Sequence, residues 1–520
     1  MRLSRLAPLA ILFALLASSV ALAEPSAERP AVTFALLGRY DTGLGQESAE
    51  IVAYDDGRMY LISTSANTLD IVDIHNPSAP TLLRRVDMSA YGAGVNSVAV
   101  IDGGLAIAVE AEPKTSPGSV VFSDGDGNFL NQLVVGALPD MLAVTPNGRD
   151  LLVANEGEPS SYNQPDSVDP EGSVSVIDLR GGARSLTQSD VRTVSFADFN
   201  IGGSRYEQLD ARVRIFGPGA SVAQDLEPEY ITVSHDSRTA YVTLQENNAV
   251  AAIDIAGAVV ERIMALGFKD HSVAGNALDA SDRDSAINIA NWPVFGMYQP
   301  DAIASFHAAG QTYLVTANEG DARDYTGFAE EARVSSLALD TTAFPNAAAL
   351  KANAALGRLN VTRTLGNTDG DNDYDQLYAF GGRSFSIWNA AGELIFDSGD
   401  QIERVTAAAV PTLFNSEGTA SGFDTRSDNK GPEPEGVAIG EIRGRSYAFV
   451  GLERVGGLLV YQLDNPAAPT LVQYLAPTAG LDRGPEGVTF VSESHSPIKQ
   501  ALVLVGNEVS GTVSIFAASR

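Results

Sequence analysis

Short apolar runs recur along this chain, separated by tight turns rich in Gly, Asn, Asp and Pro, the punctuation that β-hairpins require. The clearest copies begin with a proline and an acid. They read "LPDMLAVTPNGRDLLVANEG" from Leu138, "EPEYITVSHDSRTAYVTLQEN" from Glu227, "QPDAIASFHAAGQTYLVTANEG" from Gln299, "GPEPEGVAIG" at 431–440 and "RGPEGVTFVS" at 483–492. Two weaker copies, "AEIVAYDDGRMYLISTSANTLDIVDI" and "VNSVAVIDGGLAIAVEAEP", precede them and bring the count to seven. Each copy predicts a strand, a polar turn and a second strand, then a loop and a third strand. A fourth often follows, as in "PTLLRRVDM" (80–88) and "PTLVQYLAP" (469–477).

Four antiparallel strands at a period of roughly 40 to 50 residues is the signature of propeller blades rather than helical solenoids. The pattern therefore predicts an all-β chain, a single seven-bladed β-propeller over 32–518. The last copy has only three strands, and "VTFALLGRYD" (32–41) resembles the missing fourth, so an N-terminal strand is expected to close the ring and cover its open edges. An eight-bladed ring is the alternative, with "DQLYAFGGRSFSIWNAAGELIFDSGD" (375–400) as its own blade. Without a Pro-acid heading, that segment reads better as the outer half of blade five.

A propeller's first strand lines the central channel, and its second strand returns to the face where that first strand began. The repeat thus predicts two rings of carboxylates at one "top" mouth. Asp140, Glu229, Asp301, Glu435 and Glu486 head the first strands, with Asn96 in a weak copy. Glu156, Glu246, Glu319, Glu453 and Glu508 end the second strands, with Glu110 as their equivalent. Such acids either hold neighbouring blades together through backbone N–H groups or raise one another's pKa and bind cations. The long insertions, 157–172, about 200–226, 264–298, 321–382 (the largest) and 405–432, all fall on the same face, where binding loops gather.

Within 321–382, Asp369, Asp371, Asp373 and Asp375 alternate, separated by Gly370, Asn372 and Tyr374. Oxygen ligands at every second residue suit a hard cation, calcium first, though a solvated acidic loop has the same composition. "SDGDGN" (123–128) reads as a plain hairpin turn. Arg323, Arg383 and Arg454 stand among the top acids, able to hold a phosphate or carboxylate or to pair with those acids. The five histidines are scattered without metal-ligand spacing, and no nucleophile elbow, P-loop or dinucleotide fingerprint occurs.

Charge and the termini narrow the function classes. "MRLSRLAPLAILFALLASSVALAEP" has the basic, apolar and small-residue regions of a secretory signal peptide over 1–23. Its removal takes Arg2 and Arg5 and no acid, moving the formal charge from −31 to −33. That field repels nucleic acid and anionic lipid and attracts cations. With no cysteine in the chain, neither a disulfide nor a thiol-linked lipid anchor is possible. The expectation is a monomer exported to the periplasm or beyond, with no membrane anchor.

The motifs "LPDMLAVTPNGRDLLVANEGEPS", "QPDAIASFHAAGQTYLVTANEGDARDY", "YDQLYAFGGRSFSIW", "KGPEPEGVAIGEIRGRSYAFVGLERVGG" and "NEVSGTVSIF" closely resemble the choice-of-anchor I family. These are secreted proteins, some labelled alkaline phosphatase, and similar to the mesenchyme-specific cell-surface glycoprotein of sea urchins. The resemblance implies an exported β-propeller. It implies a calcium-associated role for Asp369, Asp371, Asp373 and Asp375, and a phosphatase activity without assigned catalytic residues. Many relatives carry a C-terminal sorting segment, and the expectation for this chain is that it has none. Two functions follow as expectations. One is a metal-dependent phosphoesterase using calcium, with a second divalent or ferric ion, on a small phosphoester. The other is a non-catalytic module binding a surface polymer, mineral or protein through cations. For the loop itself, replacing Asp371 and Asp373 by Asn is expected to lower the melting temperature in calcium but not in chelator; an equal loss in both would refute a metal role.

Overall fold

The computed structural model describes residues 32–478 and 480–519, so the expected signal peptide lies outside the described residues. Among them are seven four-stranded antiparallel sheets in the predicted order. Their first strands are Val52–Asp55, Gly94–Ile101, Pro139–Val144, Pro228–Val233, Ile303–Ala308, Pro434–Ile442 and Pro485–Val491. Each first strand packs against the next, and the last packs against the first, which makes the assembly a closed β-propeller.

Closure is made by Phe34–Asp41, which pairs antiparallel with Thr512–Ala518 from Phe34↔Ala518 to Asp41↔Thr512 and so becomes the seventh sheet's fourth strand. The segment 375–400 supplies the two outer strands of the fifth sheet, Ser384–Asn389 and Leu394–Asp397. Ser384–Asn389 pairs with Gln311–Asn318 across the large insertion.

The middle strands are apolar on both faces because each sheet is covered by its two neighbours. Leu502–Asn507 is buried at every position, whereas the outer strand Thr81–Asp87 is largely exposed. Between the third and fourth sheets, Leu152, Val174 and Val194 form one cluster with Val242, Ala251 and Ile253. Each such side chain contributes about 1.5–3 kcal/mol when removed from water. Gly436 shows how tight the inner packing is, because a Cβ there would lie 1.8 Å from the carbonyl oxygen of Glu486 in the next sheet.

The insertions are not simple loops. Phe268–Asp270, Phe295–Met297, Glu331–Arg333, Asn360–Thr362 and Tyr378–Ala379 form a five-stranded mixed sheet, with Phe295 and Gly296 parallel to Tyr378 and Ala379. It has its own core, including Leu278, Val294, Val334, Phe344, Leu356 and Leu377. Among the described residues no helix is long and apolar enough to cross a membrane. The Gly436 contact makes a direct prediction. Gly436→Ala should lower stability by about 1–3 kcal/mol, the usual cost of overpacking, seen as a lower urea midpoint at unchanged slope; an unchanged midpoint would contradict this apposition.

Candidate functional site

The Pro-acid heading works through local backbone geometry. In four sheets the pairing of first and second strands slips just after the proline, between Pro139 and Leu142, Pro228 and Ile231, Pro434 and Val437, and Pro485 and Val488. The acid sits inside each bulge, a device that re-aims a side chain at the rim of a sheet. In a weak copy the slip between Val95 and Ser97 leaves Asn96 at the same place. The residue before the proline takes a left-handed conformation at Leu138 (φ 48°), Gln299 (42°), Glu433 (52°) and Gly484 (71°). Three of these are not glycine, so the turn holds backbone strain of the kind that clusters at functional sites. The reason is visible in the hydrogen bonds. The carbonyls of Leu138, Glu433 and Gly484 accept from the N–H groups of Glu156, Glu453 and Glu508 at 3.0, 2.8 and 2.7 Å. These three turns therefore pin a second-strand acid beside a first-strand acid, while at Gln299 the carbonyl accepts from Gly320, next to Glu319, at 3.0 Å.

The result is a shared carboxylate field. Burial pushes Asp140 up to about 7, with Glu158 adding to it, and Glu246 up to about 7 despite the nearby Arg323. Burial also raises Glu229 well above the usual range, helped by Glu246 of its own sheet and by Glu156, Asp301 and Asp140 of the adjoining ones. Glu156, Asp301, Glu435, Glu453 and Glu486 are raised in the same way, by burial first and by facing acids next. Glu508 is raised by burial against the pull of Arg454. The circuit reaches the first sheet through Glu50, which burial lifts to about 7 and which repels Glu486.

Part of this charge is neutralised internally. Lys430 pairs with Glu319 and lies 3.3 Å from Glu433. Arg426 reaches Glu433 at 2.6 Å, and Arg454 reaches Glu433 at 3.2 Å and Glu453 at 2.9 Å. Burial alone would raise Glu433, but Lys430, Arg426 and Arg454 outweigh it and hold it down at about 2. Elsewhere the carboxylates are unsatisfied. Buried oxygens of Glu229, Glu246, Glu435, Glu453 and Glu486 have no hydrogen-bond partner among the described residues. Glu229, Glu246 and Glu453 are only 8%, 6% and 7% exposed. Ligand oxygens of Asp301, Glu319 and Glu435 lie within 4.8 Å of one another. An all-oxygen donor set with orphaned lone pairs fits a hard cation such as calcium.

The structure distributes the other candidates differently. Asp373 and Asp375 come within the same reach of Asp340, which the alternating pattern did not reveal, while Asp369 and Asp371 lie outside that group. Asp369 and Asp371 instead accept the N–H groups of Asp371 and Asp373, at 3.2 and 2.8 Å. Asp375 accepts from the N–H and hydroxyl of Thr368, both at 2.7 Å. Arg323 is buried against Asp225 and Glu227 and over the ring of Phe216. Arg383 donates to Glu403 at 2.7 Å and to the carbonyls of Asp279, Ser427 and Asn429. These two guanidinium groups serve the insertions, where neighbouring acids and carbonyls take up the fork an outside anion would need. Arg454 stays part-exposed among Glu417, Glu433 and Glu453. Sequence reasoning missed Glu50, Glu158, Glu433 and Lys430. The doubled acid in "KGPEPEG" was the one available signal for Glu433 and Lys430.

The fold and this mouth define a β-propeller with a carboxylate-lined entrance. The choice-of-anchor I domain matches residues 50–466, and the chain belongs to that family. It is 33% identical over 184 residues to Gigasin-3a of Magallana gigas, covering 31% of this chain and 64% of that protein. It is 29% identical over 320 residues to the mesenchyme-specific cell surface glycoprotein of Strongylocentrotus purpuratus, covering 52% of this chain and 40% of that one. Both matches span less than two thirds of the relative's length. Among solved structures, the Cps50 (Swd1) β-propeller domain of Myceliophteria thermophila covers 94% of this chain and 100% of its own at 9% identity and a TM-score of 0.44, a likeness too slight to carry any argument.

The raised carboxyls set a pH dependence. In the unfolded chain they titrate near 4, and in the fold Asp140 and Glu246 titrate at about 7. Their stabilising contribution is present below about 4 and is lost as pH rises through about 7. Chelated protein should therefore melt progressively lower between pH 5 and 8, and Glu229→Gln should flatten that slope; a melting temperature that rises over this window would refute the assignment.

Proposed function

We propose that this protein is an exported, calcium-binding β-propeller whose carboxylate mouth is its working site. The observation that carries the reading is the group Asp301, Glu319 and Glu435, set among buried carboxylate oxygens that the protein leaves unpartnered. The loop group Asp340, Asp373 and Asp375 is a second place where oxygen ligands converge. Export is supported by the leader-like segment and by the cell-surface name of one relative, with periplasm and exterior both open. The bare acid mouth repels nucleic acid and other anions alike, so a small phosphoester or a surface polymer or protein is the partner only once bound cations have reversed the local field.

Asp301 and Glu435 would hold the cation, with Glu319 as the ligand shared with Lys430. Calcium, when bound, supplies positive charge that reverses the local field and polarises an anionic oxygen. The chain's own contribution is to position. The strained turns fix the acids, the sheets keep them from spreading, and Lys430 with Arg454 adds fixed positive charge beside the group. That neighbouring positive charge favours a second reading, metal-dependent phosphoester hydrolysis, over simple storage of cations, because it suits a ligand with several anionic oxygens.

Calorimetric titration with Ca²⁺ tests the first reading. Asp301→Asn with Glu435→Gln should weaken binding roughly tenfold or more, since carboxylate count tunes calcium affinity over decades; equal affinity would remove the mouth as the site. Hydrolysis is tested with p-nitrophenyl phosphate and bis-p-nitrophenyl phosphate before and after chelation, with Ca²⁺, Mg²⁺, Mn²⁺ or Fe³⁺ restored. Turnover that chelation abolishes establishes a phosphoesterase, and no turnover with any of the four leaves a cation-dependent binding module.

A further inference from the structure

The repeat that delivers acids to one mouth delivers a different set of side chains to the other. Counting from the heading proline, the acid is one residue on, and the position seven residues on lies within two residues of the first strand's far end. That seventh position holds Pro146, His235, His307, Glu441 and Ser492 in the five strong copies. Six residues of strand separate the two positions, roughly 20 Å along the channel. Pro146, His235, His307 and Glu441 line a single cavity of about 430 Å³, together with Val233, Ser305, Phe306, Thr312, Ile439 and Ser446. The fifth positions after the proline, Val233, Ser305 and Ile439, thus share the wall with the seventh, as the two-residue period of a strand requires.

Two of the chain's five histidines meet here from adjacent sheets. The rings of His235 and His307 lie 6.0 Å apart, centre to centre, at 29° to one another. Both are exposed, and among the described residues neither imidazole makes a hydrogen bond to the protein. The other histidines differ. His75 pairs with Asp73, His271 bonds to the carbonyl of Asn276, and His495 to Ser492. Free imidazoles at matching register on consecutive sheets, with a carboxylate on the next, are the ligand types of zinc-like sites, whereas the opposite mouth offers only oxygen.

We propose that this end of the channel is a second metal site, taking a borderline transition ion such as Zn²⁺, Co²⁺, Ni²⁺ or Cu²⁺ through His235, His307 and Glu441. The two ends then sort cations by ligand softness, hard ions at the carboxylates and borderline ions at the imidazoles. As placed, the ligand atoms of the three side chains do not all lie within 4.8 Å of one another, so coordination requires the exposed side chains to rotate, which surface groups do on the picosecond-to-nanosecond scale.

Cobalt(II) is the probe, titrated by its visible absorption into full-length protein in a large excess of Ca²⁺ that fills the acid mouth. About one equivalent should bind, His235→Ala with His307→Ala should weaken it roughly tenfold or more, and Glu441→Gln should weaken it less, as loss of one ligand of three. Asp301→Asn with Glu435→Gln should leave it unchanged while weakening calcium binding, which separates this proposal from the preceding one. Copper(II) bound to wild-type protein should show nitrogen hyperfine splitting by electron paramagnetic resonance, a readout that needs no variant. Displacement of cobalt by Ca²⁺, equal affinity in the double histidine variant, or a copper signal with oxygen ligands alone would overturn it.

Discussion

Everything at the mouth depends on eight residues at the start of the described chain pairing with seven at its end. Phe34–Asp41 against Thr512–Ala518 turns a row of sheets into a ring. The carboxylates of seven sheets face inward and repel one another, so an open row would relieve that repulsion by splaying. Closure forbids the relief. The apolar layers between neighbouring sheets supply the opposing free energy, and the acids remain crowded and desolvated, with Asp140 and Glu246 pushed up to about 7. On the proposed reading, a bound cation would remove this repulsion without moving the sheets.

The ring is not symmetric in charge, and the asymmetry comes from the insertions. Residues 405–432 carry Arg426 and Lys430 down onto Glu319 and Glu433, while Arg454 closes over Glu433 and Glu453. On the other side, Arg323 is drawn back into a buried cluster with Asp225 and Glu227, and Arg214 pairs with Glu330 beside it. These pairs tie 200–226 to 321–332. They leave Asp140 and Glu229 with acids as their charged neighbours. One half of the mouth thus carries three cationic side chains, Arg426, Lys430 and Arg454, and the other has Lys114 on Glu158.

The blade pattern and the acid rings could be read in advance because both are local. A bulge after a proline, a left-handed residue before it and an acid between them occupy a few consecutive positions. Their spacing repeats wherever the chain turns back on itself. The alternating aspartates were as easy to see and less faithful. Asp369 and Asp371 each turn one oxygen to a backbone N–H of the same turn, and the residue that converges with Asp373 and Asp375 is Asp340, some thirty residues away. The insertions were read as loops because the segments of their mixed sheet are two or three residues long. Such segments are too short to show a period, and their apolar residues find one another only in three dimensions.

The sequence by itself determined the strand-turn-strand unit, its repetition, the strand that would close the ring and the side of the ring to which the acids belong. Each of these follows from hydrogen-bonding and steric preferences acting within a few residues. Only the tertiary structure decided which acids keep unpartnered oxygens, which are held ionised by Lys430 and the arginines, and which histidines share a cavity. Those outcomes depend on side chains tens to hundreds of residues apart meeting where water is largely excluded, and no local preference encodes such a meeting.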